Sequence, residues 1–203
     1  MKILIFGSTF LTANVVNFLL KYSNHDLIGY VPNRKSTVPG KINLMQVKNI
    51  SSISYDIKLS IQFDRKIKHT GNAFNVHTGL LPDWGGCDIL HHTLTEGVKE
   101  QGVTFHKMTC DYDYGPIISK ITYPVFDDDK VVDLYEKIIN ITPGFVMTSL
   151  ALLDNIGLEN VNDKCLSTKP RLFTKGSAKV NEKDYLDVKN KLIEYSRINQ
   201  VKE

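Results

Sequence analysis

The segment FNVHTGLLP places Asn75 and His77 two positions apart in an apolar run, which Gly79 and Pro82 then bring to an end. Alternate side chains of an extended strand share a face, so the two project together. If that strand belongs to an open α/β sheet, its C-terminal end is where ligands bind. A carboxylate recurs in Asp113-Tyr114-Gly115-Pro116, a turn between two β-rich runs. Asn, His and Asp converging on one point can catalyse attack of an amine on an acyl carbon. Asn75 and His77 would donate hydrogen bonds to the developing oxyanion, while Asp113 would orient the imidazole, favour its protonated form and collect the amine proton. One such donor is worth roughly 3 kcal/mol in the transition state, and proton transfer adds about 10²–10⁴ in rate. This chemistry requires no nucleophilic Ser or Cys.

The elements that must hold these residues read as an alternation. Met1 to Phe6 is a short apolar run ended by Gly7-Ser8-Thr9, followed by a helical pattern with Leu11, Val15, Phe18 and Leu19 on one face. Asp26 to Val31 reads as a second strand, giving a right-handed parallel βαβ unit. The turn GSTFLT lacks the glycines of a dinucleotide fingerprint, so NAD binding is not supported, although a phosphate can rest on a helix N-terminus. Pro32 to Ser54 is irregular, with one short strand near Leu44 to Val47. Tyr55 to Ile61 and Ala73 to His77 are buried strands, and the basic segment Asp64 to His69 between them reads as a short helix. Cys87 to Gly97 is helical, and Gly102 to Met108 and Ile117 to Tyr123 form a hairpin or two neighbouring edge strands. Asp127-Asp128-Asp129 opens a long helix through Leu152, its acids complementing the N-terminus. A polar segment ends in a charged helix from about Glu182 to Arg197.

Composition narrows the function classes. The 203 residues, 42% hydrophobic and 23% charged, suit one globular domain with a short appendage. A net charge of +3 is too balanced for a nucleic-acid partner. Three cysteines without a CxxC pair suggest neither a disulfide framework nor a zinc site, and point to a reducing, cytoplasmic setting. No run has the length of a signal h-region or a membrane span, so no membrane partner is expected. The sequons at Asn49 and Asn140 are read as chance matches.

FNVHTGLLPDWGG, then GVTFHKM, then DYDYGPII resembles the formyltransferase family that uses N10-formyltetrahydrofolate: N-x-H-x-[SG]-L-L-P, G-x-T-x-H and D-x-G-P, in that order. The resemblance covers roughly Met1 to Leu152. It implies an α/β fold, a Rossmann-like catalytic domain over residues 1–155 with a mostly parallel central sheet flanked by helices, and a short appendage over 156–203. The family's catalytic triad falls on Asn75, His77 and Asp113. Its folate co-substrate would lie beside Phe63, Asp64, Arg65, Lys66 and Ile67 and beside the loop Met108, Thr109, Cys110 and Asp111. No metal is implied. Among family members, the glycinamide ribonucleotide enzymes have a glycine-rich phosphate loop where this chain has GSTF, and the methionyl-tRNA enzymes have a further C-terminal barrel. Sugar N-formyltransferases fit the wording of SIQF, FNVHTGLLP and GVTFH best, which implies a nucleotide-linked amino deoxysugar, such as a dTDP-4-amino-4,6-dideoxyhexose, as acceptor and a surface polysaccharide such as lipopolysaccharide as destination. Elements that support dimerisation in relatives are reduced to Lys169–Glu203, leaving a homodimer open.

The remaining candidates are weighed against plainer roles. Ser8 and Thr9 are candidates for the sugar-nucleotide side. Trp84 either stacks on a base or sugar or anchors its loop. His106 reads as structural. His91 and His92, being adjacent on a helix, diverge and make no closed metal site. Arg65, Lys66 and Lys68 either meet a folate glutamate tail or solvate a helix. A glycinamide ribonucleotide or other amine formyltransferase, and a non-catalytic folate- or nucleotide-binding module, are the rival readings. The polar trio, costly to desolvate, speaks against the module.

Overall fold

The structure is a computed structural model that describes residues 1–35, 39–67, 71–162, 164–178 and 181–200. Strands β1 (Lys2–Phe6), β2 (Asp26–Val31), β3 (Ile57–Ile61), β4 (Ala73–His77), β6 (Glu100–Lys107) and β7 (Ile117–Pro124) form one sheet in the order β2-β1-β3-β4-β6-β7. The first four are mutually parallel, and β6 and β7 join antiparallel at the β4 side. Helices α1 (Phe10–Tyr22), α2 (Ile89–Thr95), α3 (Val131–Ile156) and α4 (Glu182–Gln200) complete the frame, with a short second ladder between β5 (Gly85–Gly86) and β8 (Leu172–Phe173). The architecture is the α/β fold expected, with a mostly parallel sheet flanked by helices. No helix among the described residues is long and apolar enough to cross a membrane.

Each face of the sheet has its own cover. Ile3, Ile5, Ile57, Leu59, Phe74, Val76 and Phe105 pack against α1 and α3 in the larger core. Phe74 and Phe105 stack there at 5.5 Å. Leu4, Phe6 and Val31 instead meet Val47 and Ile67 on the opposite face, where irregular chain supplies the cover. Because β4 alternates, Asn75 and His77 point to that second side, away from α1 and α3.

Local chemistry explains most boundaries. Thr9 caps α1, its hydroxyl accepting the Thr12 N–H at 3.2 Å. The expected strand near Leu44–Val47 is a single parallel bridge, Tyr30 to Gln46. The expected helix over 64–69 is not formed in its described part, residues 64–67, while Lys68 and His69 lie outside the described residues. Tertiary bonds hold this stretch open: Asp64 accepts the Arg34 and Lys35 N–H groups at 2.8 and 3.3 Å, and Arg65 Nη2 donates to the Pro32 carbonyl at 2.6 Å. So short a segment cannot nucleate a helix against such contacts. At α3 the capping acid is Asp133, which accepts the Lys130 N–H at 2.8 Å, whereas Asp129 accepts the Phe126 N–H and pairs with Lys137.

The C-terminal segment is bound to the rest. Gly85 donates to the Arg171 carbonyl at 2.9 Å and Cys87 to that of Phe173 at 2.8 Å. A Cβ on Gly86 would stand 2.1 Å from the Phe173 oxygen, and Gly86 has φ +91°, so this ladder needs a glycine. Leu192 of α4 joins the main core with Val188 and Tyr195 packed beside it.

Candidate active site

β4 is the positioning element. Its register sets Asn75 opposite Ser60 on β3 and opposite His106 on β6, with His77 opposite Thr104. Asn75 Nδ2 lies 3.2 Å from His106 Nε2, and His106 Nδ1 lies 3.0 Å from the Lys107 carbonyl. A carbonyl only accepts, so Nδ1 carries a hydrogen toward Lys107, and Nε2 is the nitrogen that faces the Asn75 amide. By the same logic His77 Nε2, 2.6 Å from the Trp84 carbonyl, is a donor, and Nδ1 is the nitrogen that faces Asp113 Oδ1 at 3.6 Å. His77 is 7% exposed and Asp113 9%.

Asp113 reaches this point from the turn after β6, in the left-handed conformation at φ +54°. Gly115 lets the turn close: a Cβ there would lie 1.8 Å from the Lys107 oxygen. Asp113 Oδ2 accepts the Gly86 N–H at 2.8 Å, and Oδ1 lies 3.5 Å from His106 Nε2. Burial alone pushes the Asp113 carboxyl up. Attraction to His77, the His106 imidazole and the Gly86 N–H outweigh that burial and hold it well below the usual carboxylate range. The site therefore joins an amide donor, an imidazole and an ionised carboxylate, an arrangement able to serve amine acylation.

Two openings meet at these residues. A cavity of about 760 Å³ is lined by Asn75, His77 and Asp113 together with Gln62, Tyr135 and Phe173. A smaller cleft of about 100 Å³ also touches Asn75 and Asp113, and is walled by Phe63, Ile67, Met108 and His106. Arg65, Lys66, Thr109, Cys110 and Asp111 line that cleft too. Its apolar walls suit a flat heteroaromatic ring, and Arg65 Nε is buried there without a hydrogen-bond partner among the described residues. These residues fit a folate-type group.

Other sequence candidates sit elsewhere. Asp64 turns toward the backbone of Arg34 and Lys35 and does not line the cleft. Ser8 exchanges hydrogen bonds with Asn33, at 2.8 Å through its N–H and 3.0 Å through its hydroxyl, and Thr9 is committed to its helix cap and to Gln62. Neither lines the cavity. The Trp84 ring is 9% exposed and stacks on Phe173 at 5.4 Å, so it anchors the loop, and its carbonyl is what serves His77.

Sequence reasoning missed several contributors. His106, read as structural, is in the polar network, and the register of β4 against β6 is what puts it there. His91 and His92 do diverge. His92 stacks on Phe173 at 4.1 Å, whereas His91 lines the cavity with Nε2 buried and unpartnered among the described residues. The C-terminal segment supplies a whole wall of the cavity, including Leu172, Phe173, Lys175, Asp184 and Tyr185. No local signal marks those residues, because their role depends on the docking of β8 and α4.

Residues 4–149 match the sequence profile of the family described as formyl transferase. Over 52% of its length the chain is 31% identical to the bifunctional polymyxin resistance protein ArnA of Wigglesworthia glossinidia brevipalpis, and it spans 18% of that relative. The fold superposes with a TM-score of 0.71 on the N-formyltransferase from Helicobacter canadensis, solved with folinic acid and dTDP-3-aminofucose, at 20% identity over 95% of this chain and 80% of that one. For phosphoribosylglycinamide formyltransferase from Bacillus halodurans the TM-score is 0.64, at 17% identity over 77% of this chain and 97% of that one.

Proposed function

This chain belongs to the formyl transferase family, and from that premise we propose that it transfers a formyl group from N10-formyltetrahydrofolate to the amine of a nucleotide-linked amino deoxysugar. The observation that carries this reading is the placement of Asn75 and Asp113 on the boundary between two openings, with His77 beside them on the larger one. The cleft beside Phe63, Ile67 and Met108 takes the donor ring, and Arg65 and Lys66 face its acidic tail. The cavity of about 760 Å³ takes the acceptor, a volume within the usual range for sites that enclose a ligand of drug or cofactor size.

The chain's residues then divide the chemistry. Asn75 donates to the formyl oxygen as the amine nitrogen bonds to the formyl carbon and negative charge develops, while His77, its Nε2 given to the Trp84 carbonyl and its Nδ1 facing Asp113, orients the carboxylate beside it. Asp113, ionised and within reach of both imidazoles, accepts the proton that the amine sheds. Collapse breaks the bond from carbon to the donor nitrogen, which takes up a proton to leave tetrahydrofolate and the formamide. Trp84, through its carbonyl, and His106 hold His77 and Asn75 in place.

A sugar acceptor is favoured over glycinamide ribonucleotide by the turn after β1. Ser8 and Thr9 spend their hydrogen bonds on Asn33, Thr12 and Gln62 and do not form a phosphate cradle. The fold likeness to the H. canadensis enzyme also spans 95% of this chain, against 77% for the glycinamide enzyme. A cytoplasmic site of action goes with this reading.

The test is a formyl-transfer assay with N10-formyltetrahydrofolate against dTDP- and UDP-linked amino sugars and glycinamide ribonucleotide, following tetrahydrofolate release. Formylation of a nucleotide sugar is expected. Turnover of glycinamide ribonucleotide alone would overturn the acceptor class, and folate binding without turnover of any amine would favour a non-catalytic module.

A further inference from the structure

Gln62 lines the larger cavity between β3 and Phe63, the neighbour that touches both openings, and holds the left-handed conformation at φ +51°. A glutamine gains nothing intrinsic from that conformation, and such outliers persist where surrounding structure enforces them, often at functional sites. Here the enforcement comes from several elements. The Gln62 carbonyl accepts Asn33 Nδ2 at 2.8 Å. Its side-chain Oε1 accepts the Thr9 hydroxyl at 2.8 Å and the Tyr135 hydroxyl at 3.4 Å. Burial pushes the Tyr135 phenol up despite its bond to Gln62, so that hydroxyl keeps its proton over the working range of an enzyme. With Oε1 occupied from two sides, the amide nitrogen is the end left over. Among the described residues it has no protein partner, and the residue lines the same cavity as Asn75 and His77.

We propose that Gln62 is a specificity-determining residue whose amide N–H groups bind an oxygen of the acceptor, a hydroxyl on the carbon next to the one that bears the reacting amine. Thr9 and Tyr135 act through Gln62 as positioning residues. The assignment rests on the amino-sugar reading above and deepens it. A donor held this rigidly penalises an acceptor without the matching oxygen, because the amide would then be desolvated with no partner.

The experiment compares dTDP-4-amino-4,6-dideoxyglucose with its analogue lacking the 3-hydroxyl, in the wild type, Gln62→Met and Gln62→Asn. Methionine keeps the length and removes the donor. Asparagine tolerates the left-handed backbone but falls short of the ligand. Wild-type kcat/KM should favour the hydroxylated acceptor by about tenfold, and both variants should bring that ratio near unity while the KM for N10-formyltetrahydrofolate stays unchanged. Should the methionine variant fail to bind folate or to unfold cooperatively, the asparagine variant is the one read. A ratio unchanged from wild type in a variant that still binds folate overturns the role of Gln62 alone. Wild-type silence toward every nucleotide sugar overturns the acceptor reading, and this assignment with it.

Discussion

Gly79→Ala should cripple turnover without removing any group that takes part in the reaction. The φ of Gly79 is not in the left-handed region, so alanine is acceptable to the backbone itself. Its Cβ, however, would stand 2.4 Å from the Trp84 carbonyl oxygen and 2.8 Å from His77 Nε2, where ordinary contact begins at 3.4 Å. The carbonyl or the imidazole must therefore retreat by about 1 Å, and a misplacement of that size costs about 10² in rate. Relaxation of the loop is opposed from β6. Leu80 N–H is held by Gln101 Oε1 at 3.0 Å, Leu81 N–H by Thr104 Oγ1 at 3.1 Å, and the Gly79 carbonyl by the Thr104 hydroxyl at 2.7 Å. Steady-state kinetics should show kcat lowered about 10²-fold with the KM for the folate donor nearly constant, since the donor cleft lies on the other side of Asn75. Thermal unfolding should report a loss of about 1–3 kcal/mol, as for overpacking elsewhere. A kcat within about threefold of wild type, in a protein that unfolds as the wild type does, would mean that the bond between His77 and the Trp84 carbonyl is not what positions the imidazole.

Asp113→Asn tests the electrostatics. The folded carboxyl lies below its unfolded value of about 3.9, so its stabilisation is complete above that pH and is lost as pH falls through the depressed folded value. Denaturant midpoints should separate wild type and variant by about 1.5–3 kcal/mol at pH 7, with convergence only below about pH 4; a gap that closes between about pH 6 and 5 would contradict the assignment. His106→Phe should lower kcat about tenfold by releasing the Asn75 amide, with both KM values nearly unchanged, and an equal rise in both KM values would point to a packing defect instead. Phe173→Ala removes the ring that packs on Trp84 and His92. It should destabilise by about 3–5 kcal/mol and raise the KM for the acceptor while sparing that for folate, as separate titrations would show.

The sequence by itself determined the frame and singled out the polar trio of Asn75, His77 and Asp113. Short apolar runs alternating with one-sided helical patterns decide a parallel sheet, because each strand is buried on both faces and each connecting helix on one. β2 and β4 fall on the residues expected for them, and the spacing of Asn75 from His77 places both on one face of a strand by its period alone. Asp113 was legible through its Gly-Pro turn. These are local patterns, and local geometry is enough to interpret them.

The tertiary structure decided what depends on register and docking. His106 joins the polar network only because β6 runs antiparallel beside β4 with His106 opposite Asn75. A one-residue slip would turn it to the helix-packed face. The segment 64–67 stays non-helical because distant backbone groups of β2's following loop claim its side chains, a competition that helix propensity does not contain. Trp84 read equally as a stacking platform or a loop anchor, a choice its packing on Phe173 makes in favour of the anchor, and the larger cavity has its far wall only once β8 pairs with β5 and α4 lies against α3. Gln62 is the extreme case. Its backbone strain and its amide orientation are imposed by Thr9, Asn33 and Tyr135, residues far apart in the chain that meet only when the sheet closes under α3.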